Sequence, residues 1–153
     1  MPRPPRLVTG PTHSGKTGQL MAWAEGRPEV VGIAAPDGPT GRRMIDLRSG
    51  DHVEMEHPAA HEPAVEIGPY RFRQAAFDWA QPRLLHAADD PLARYLVIDE
   101  IGPLELRGDA LAPVLDVLLA RPHLPELVVV VRDSLRDTVA ARFDLSWEAF
   151  PPA

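Results

Sequence analysis

Gly10-Pro11-Thr12-His13-Ser14-Gly15-Lys16-Thr17 follows a short strand-like segment, Arg6 to Thr9, and leads into a helix-like segment, Lys16 to Glu25. The octapeptide satisfies G-x-x-x-x-G-K-T in full. A strand before it and a helix after it are the setting in which this pattern binds phosphate. Glycines at both ends let the backbone curl so that successive amides converge on an anion at the positive end of the following helix. In such a loop Lys16 brings a compact cation to the β- and γ-phosphate oxygens, and the Thr17 hydroxyl ligates Mg²⁺. The whole stretch from Gly10 to Thr17 is therefore assigned to nucleotide binding. Pro11, Thr12, His13 and Ser14 fill the variable positions, and the His13 side chain reads as solvated.

About eighty residues further on, Tyr95-Leu96-Val97-Ile98 is an apolar strand that ends in Asp99-Glu100. Ligands of open α/β sheets bind beyond the carboxyl ends of the strands. Asp99 is thus placed to hold the Mg²⁺ shell, and Glu100 to take a proton from the water that attacks a γ-phosphate. A glutamate beside the metal aspartate goes with hydrolysis by a glutamate base, whereas Ras-type GTPases orient water with a glutamine.

The remaining segments fit around these two motifs. Glu29 to Ala34 and Leu127 to Val131 read as buried strands, and Arg43 to Leu47 as a half-exposed one. Asp109 to Ala120 is an amphipathic helix. Gln74 to Trp79 and Arg83 to Ala88 read as a helix kinked or restarted at Pro82. Ser134 to Arg142 is a helix with Ser134 as its N-cap. Residues 52 to 69 show no sustained period. Solid apolar strands alternating with helices imply a mainly parallel sheet covered on both faces, an α/β class.

Composition narrows the function. One hundred and fifty-three residues suit a single domain, 1–153, large enough to fold on its own core. The chain has no cysteine, which excludes a disulfide scaffold, a cysteine–zinc site and a thiol nucleophile. A net charge of -6 argues against general nucleic-acid binding. No unbroken apolar run exceeds five residues, far short of the ~20 needed to cross a bilayer. The expectation is a cytoplasmic protein without a membrane segment. Of sixteen basic residues fifteen are Arg, and the one Lys is Lys16.

Asp99-Glu100-Ile101-Gly102-Pro103-Leu104-Glu105-Leu106, placed after GPTHSGKT, resembles the small thermophile-type (THEP-like) nucleoside-triphosphatase family. The likeness extends to Tyr70-x-Phe72, to the helix before the acidic strand, and to Leu127–Arg132 followed by Ser134–Phe143. It is weakest over residues 35 to 65, where Ala34-Ala35-Pro36-Asp37-Gly38 replaces a longer family segment and Gly41-Arg42-Arg43 is the only echo. The resemblance implies a three-layer, RecA-like phosphate-loop fold that hydrolyses ATP and other nucleoside triphosphates with Mg²⁺. It implies nucleotide contacts from Gly10 to Thr17 and from the Asp99 to Glu105 stretch, including Gly102.

Fast phosphoryl transfer calls for a charge-stabilising arginine. Arg132 is the first candidate because it follows a core strand at the ligand edge, and Arg42, Arg43 and Arg107 come next. His52, His57 and His61, with Glu54, Glu56 and Glu62, fit no zinc spacing and read as a solvated loop. Trp23, Trp79 and Trp147 read as packing residues, and the sequence does not choose an aromatic to stack on a base. Two other functions share the motifs: a small kinase acting on a nucleoside, nucleotide or polynucleotide 5'-hydroxyl, and a nucleotide-switched binding module. Nothing in the sequence demands an oligomer or a protein partner.

Overall fold

The computed structural model describes residues 3–10 and 15–152. Its elements alternate along the chain: β1 (Arg6–Gly10), α1 (Lys16–Ala24), β2 (Val30–Ala34), β3 (Asp37–Gly38), β4 (Gly41–Asp46) and β5 (His52–Glu54) come first. They are followed by β6 (Ala64–Ile67), β7 (Tyr70–Arg73), α2 (Gln74–Ala88), β8 (Tyr95–Asp99), α3 (Pro103–Leu106) and α4 (Ala112–Leu119). β9 (Glu126–Arg132), α5 (Arg136–Phe143) and β10 (Glu148–Ala149) complete the described elements.

The main sheet runs β10-β1-β9-β8-β2-β4-β3, with β5 also paired to β4. From β10 to β2 every pairing is parallel, and from β2 outward every pairing is antiparallel. The solid apolar strands are the cause. A strand such as Val128–Val131 has no polar face to give to water, so both sides must be covered.

Alternation along each strand divides the core into two layers. Val31, Ile33, Leu96, Ile98, Val129 and Val131 face α2, α4 and α5. Val30, Tyr95, Val97, Val128 and Val130 face α1. The architecture is therefore three-layered α/β, with α1 covering one face. Trp23 fixes α1 there by edge-on contacts with Tyr95 and Phe150, at 5.0 and 5.1 Å between ring centres. At the C-terminal end of α1 this face opens into a cleft of about 830 Å³ lined by residues such as Met21, Pro28, Leu47 and Leu92. That cleft lies at the opposite end of α1 from Lys16, away from the acidic strand end.

Several expectations are corrected. α2 does not restart at Pro82 and is one helix, Gln74–Ala88. The ring removes one backbone hydrogen bond, but Phe77, Ala80 and Leu84 are buried on either side of it and hold the helix on the sheet. Ser134 is not an N-cap: it lies in a 3-10 turn, Asp133–Leu135, and α5 starts at Arg136. Here the Asp133 carboxylate accepts a hydrogen bond from the Thr9 hydroxyl at 2.7 Å, which ties the turn back to β1. Residues 52 to 69 hold β5 and β6, too short and too polar to leave a period.

β2 and β8 approach unusually closely at Gly32, which has φ 116°. A Cβ there would lie 2.3 Å from the Val97 carbonyl oxygen. No flexible side chain can yield, because the neighbour is backbone. Gly32→Ala is expected to destabilise the protein by about 3 kcal/mol or more, combining backbone strain with overpacking. Denaturant unfolding of the variant checks this, and a loss below about 1 kcal/mol would contradict the close approach.

Candidate active site

The carboxyl ends of the parallel strands bring the two sequence motifs together. Gly10 is in register with Arg132 across β1 and β9, and Asp99 with Val130 across β9 and β8. β1 hands the chain to α1 on one face while β9 hands it to α5 on the other, so the crevice between their ends is a topological switch point. Pro11, Thr12, His13 and Ser14 lie outside the described residues. Gly15 has φ 82°, a left-handed turn that starts α1 at Lys16.

Thr17 follows on the first turn of α1, and its hydroxyl donates to Asp99 Oδ2 at 2.8 Å. The Ala35 amide donates to the same oxygen at 2.9 Å. Asp99 is fully buried, and its Oδ1 has no hydrogen-bond partner among the described residues. Burial pushes the Asp99 carboxyl above its ordinary value, against the lowering pull of the Ala35 amide, Arg42 and Thr17, while Glu100 adds to the rise. A hydroxyl and a half-satisfied buried carboxylate form a hard-oxygen donor pair, which fits a divalent cation of the Mg²⁺ type. Among the described residues no group of three or more His, Cys, Asp or Glu could hold a metal. A cation here would rely on this pair and on the phosphates of a ligand.

Arg42 enters from β4. Its Nη1 donates to Glu100 Oε1 at 3.0 Å, and Nη2 lies 3.9 Å from Asp99 Oδ1. Nε and Nη2 also donate to the Ala35 carbonyl at 3.3 and 3.2 Å. Its backbone is held as firmly, since the Arg42 amide donates to Glu56 Oε2 at 2.7 Å. Glu56 can reach that amide because Gly41 has no side chain: a Cβ at Gly41 would lie 2.3 Å from the same oxygen. Burial works against the guanidinium charge, but Glu100 and Asp99 outweigh it and hold the Arg42 pKa above its ordinary value.

Arg132 ends β9 between the two motif-bearing strands, and no described ion pair or side-chain hydrogen bond engages it. Arg107 pairs with Asp109 at 2.6 Å and donates to the Glu66 carbonyl, so it is committed elsewhere. Among the aromatics, Trp79 stacks under Arg83 at 4.2 Å, Trp147 Nε1 donates to the Arg136 carbonyl, and exposed Tyr70 stacks on Phe72.

A family model described as NTPase matches residues 6–148. The chain belongs to this NTPase family. Membership supports nucleotide hydrolysis as its general activity. The fold of this NTPase is similar to that of THEP1 from the hyperthermophile Aquifex aeolicus, with a TM-score of 0.67 at 19% identity over 90% of this chain and 82% of that one. It is similar also to a human cancer-related nucleoside triphosphatase, with a TM-score of 0.64 at 21% identity over 97% and 89% of the two chains. No curated protein sequence gives a match.

Two participants in the candidate site escape sequence reading. Ala35 acts through its backbone and Glu56 through a contact fourteen residues away, so neither leaves a local signal. Glu105 did leave one. Gly102-Pro103-Leu104-Glu105 carries a proline at the first helical position and a glutamate at the third, the residue pattern of a helix start. In α3 the buried Glu105 carboxylate accepts the Gly102 amide at 2.9 Å and the Leu111 amide at 3.0 Å, fixing the segment that follows Glu100. The Gly102 amide is thus engaged within the protein.

Burial raises the Glu105 pKa from an ordinary 4.5 to about 7, despite those two amides. The folded state then holds this proton more tightly than the unfolded chain does, so stability from this group is greatest below pH 4.5 and falls as the pH rises to about 7. The full loss is about 3 kcal/mol. Glu105→Gln presents an NH₂ to one of the two amides, a cost of about 1–3 kcal/mol. The variant should be less stable than wild type at pH 5, with the gap narrowing or inverting by pH 8. A gap in unfolding free energy that does not move with pH would show that Glu105 does not titrate in this window.

Proposed function

We propose that this protein is a Mg²⁺-dependent nucleoside triphosphatase that converts ATP, and other nucleoside triphosphates, to the diphosphate and phosphate. The observation that carries the reading is the 2.8 Å hydrogen bond from Thr17 to Asp99, which joins the start of the phosphate-loop helix to the end of the acidic strand. A hydroxyl and a carboxylate brought together across an intervening strand, one oxygen of the carboxylate having no hydrogen bond among the described residues, are the two protein groups that such a metal–nucleotide site requires.

In this proposal the residues from Gly10 to Gly15 wrap the β-phosphate, and Lys16 neutralises oxygens on the β- and γ-phosphates. Thr17 and Asp99 would hold Mg²⁺, directly or through water, and the ion would supply neutralisation of phosphate charge. Glu100 orients the attacking water and accepts its proton. Water adds to the γ-phosphorus as the bond to the β–γ bridging oxygen breaks, and the diphosphate leaves. Arg132 stands at the strand end beside Gly10, where it can meet charge developing on the transferred group. The chain carries all of these groups itself, so the proposed chemistry needs no partner.

Phosphate release from ATP, GTP, CTP and UTP with Mg²⁺ tests this directly. Lys16→Ala should lower turnover by about 100-fold or more, the scale of removing one preorganised charge from a phosphoryl site. Lys16→Arg should fail nearly as badly, because a planar guanidinium does not substitute for a compact ammonium on a flexible stem. Glu100→Gln should lower kcat by about 10² to 10⁴ while nucleotide still binds. Arg132→Ala should lower kcat without weakening binding; an unchanged kcat would remove Arg132 from the reaction. Label transfer to an added nucleoside or 5'-hydroxyl oligonucleotide, in place of release to water, would sink the hydrolase reading in favour of a kinase.

A further inference from the structure

In the free protein Glu100 Oε1, an oxygen that a base would have to turn toward the attacking water, is occupied by Arg42 Nη1 at 3.0 Å. Arg42 is not a loose surface cation that drifted there. Its Nε and Nη2 are fastened to the Ala35 carbonyl, its backbone to Glu56, and the Ala35 amide in turn to Asp99. Only the outer edge of the fork, Nη1 with the long approach of Nη2, is spent on the two carboxylates. That edge can change partners while the anchored edge stays in place.

We propose that Arg42 is a γ-phosphate-operated latch on Glu100: a triphosphate draws the outer guanidinium nitrogens from the carboxylate to the terminal phosphate, and a diphosphate does not. The proposal rests on the assignment of Glu100 as the base. The direction of the exchange follows from chemistry. A terminal phosphate offers three charged oxygens, and a guanidinium meets phosphate with the same two-pronged geometry that it uses on carboxylate. The selectivity follows from linkage, since a ligand shifts a two-state element only by its difference in affinity for the two states. NTP and NDP differ here by one group, the one that Arg42 would grip. Release of Glu100 is then coupled to the presence of the bond to be cut, and the diphosphate product allows the latch to close again. The same residue would serve twice, freeing the base and placing positive charge on the transferred phosphate, with no covalent change in Arg42 itself.

The test uses the full chain and two readouts that do not depend on turnover. The first is the dissociation constant of ADP and of the β,γ-imido analogue of ATP, measured with Mg²⁺ for wild type, Arg42→Ala and Arg42→Lys. The latch predicts that wild type prefers the triphosphate analogue and that Arg42→Ala loses that preference by at least tenfold, with ADP affinity kept within threefold. Arg42→Lys should recover only part of it, because one ammonium cannot stay on Ala35 and reach phosphate together.

The second is the side-chain ¹⁵Nε resonance of Arg42, assigned as the signal lost in Arg42→Lys. It should move on adding the imido analogue and stay in place on adding ADP. Glu100→Gln should move it in the free protein, since the latch then has no carboxylate to hold. Equal weakening of both nucleotides in Arg42→Ala would make Arg42 a structural clamp and overturn the proposal. So would an unchanged preference in Arg42→Ala, or a resonance that responds equally to ADP and the analogue. Failure of the hydrolase reading shows differently: wild type would release no phosphate, whatever the two binding readouts give.

Discussion

The architecture of the strand ends depends on the burial of one carboxylate, that of Asp99. An isolated charge at full burial is prohibitive, so a buried carboxylate needs donors brought to it. One oxygen, Oδ2, is met by the Thr17 hydroxyl and the Ala35 amide. These contacts dictate where three elements end. α1 must begin where its second residue can reach β8, β2 must stop so that the next amide turns inward, and β8 must terminate at the carboxylate. Among the described residues the other oxygen, Oδ1, has no hydrogen bond and lies 3.9 Å from Arg42 Nη2. That unequal treatment of the two oxygens is the physical basis of the proposed metal–nucleotide site.

The two layers of the core share this task unequally. The face carrying α2, α4 and α5 buries most of the large side chains, and it fixes β8 and β9 as a rigid floor. The opposite face is held by α1, nine residues that would be a marginal helix alone and are placed by Leu20 and Trp23. β1 lies deep in the parallel ladder, paired on both sides, while α1 rests on the lighter of the two layers. Thr17 then adds a direct bond from α1 to the floor.

Fold class and motif placement were legible in the sequence because both rest on local pattern. The solid runs at Tyr95–Ile98 and Leu127–Val131 could satisfy their apolar surface only in a covered sheet, and the octapeptide at Gly10–Thr17 could be read from residue types alone. What escaped was set by long-range partners. β10 is two residues long, and it exists because Glu148 and Ala149 find Arg6 and Leu7 across the whole length of the chain. Ser134 has the chemistry of an N-cap, yet the neighbouring Asp133 is taken up by Thr9 and a 3-10 turn precedes the helix. In the candidate site, the sequence ranked Arg132 above Arg42 because only strand position could be weighed. The contacts that commit Arg42 to Glu100 come from β4, in the stretch with the least pattern and the weakest family likeness.

The division of cations along the chain gains a meaning from these contacts. Fifteen arginines against a single lysine is what a drift in codon usage produces, and most of these arginines make ordinary ion pairs at the surface. Arg42 and Lys16 are the two positions where the choice matters. Arg42 must keep the Ala35 carbonyl on one edge while engaging Glu100 on the other, a task for a rigid planar fork and beyond a single ammonium. Lys16 stands at the start of α1, directly after the left-handed Gly15. A chain that uses arginine at every other basic position has its one lysine where the octapeptide pattern asks for it. A drift in codon usage alone would have put arginine there too, so the exception sets Lys16 apart from the surface cations.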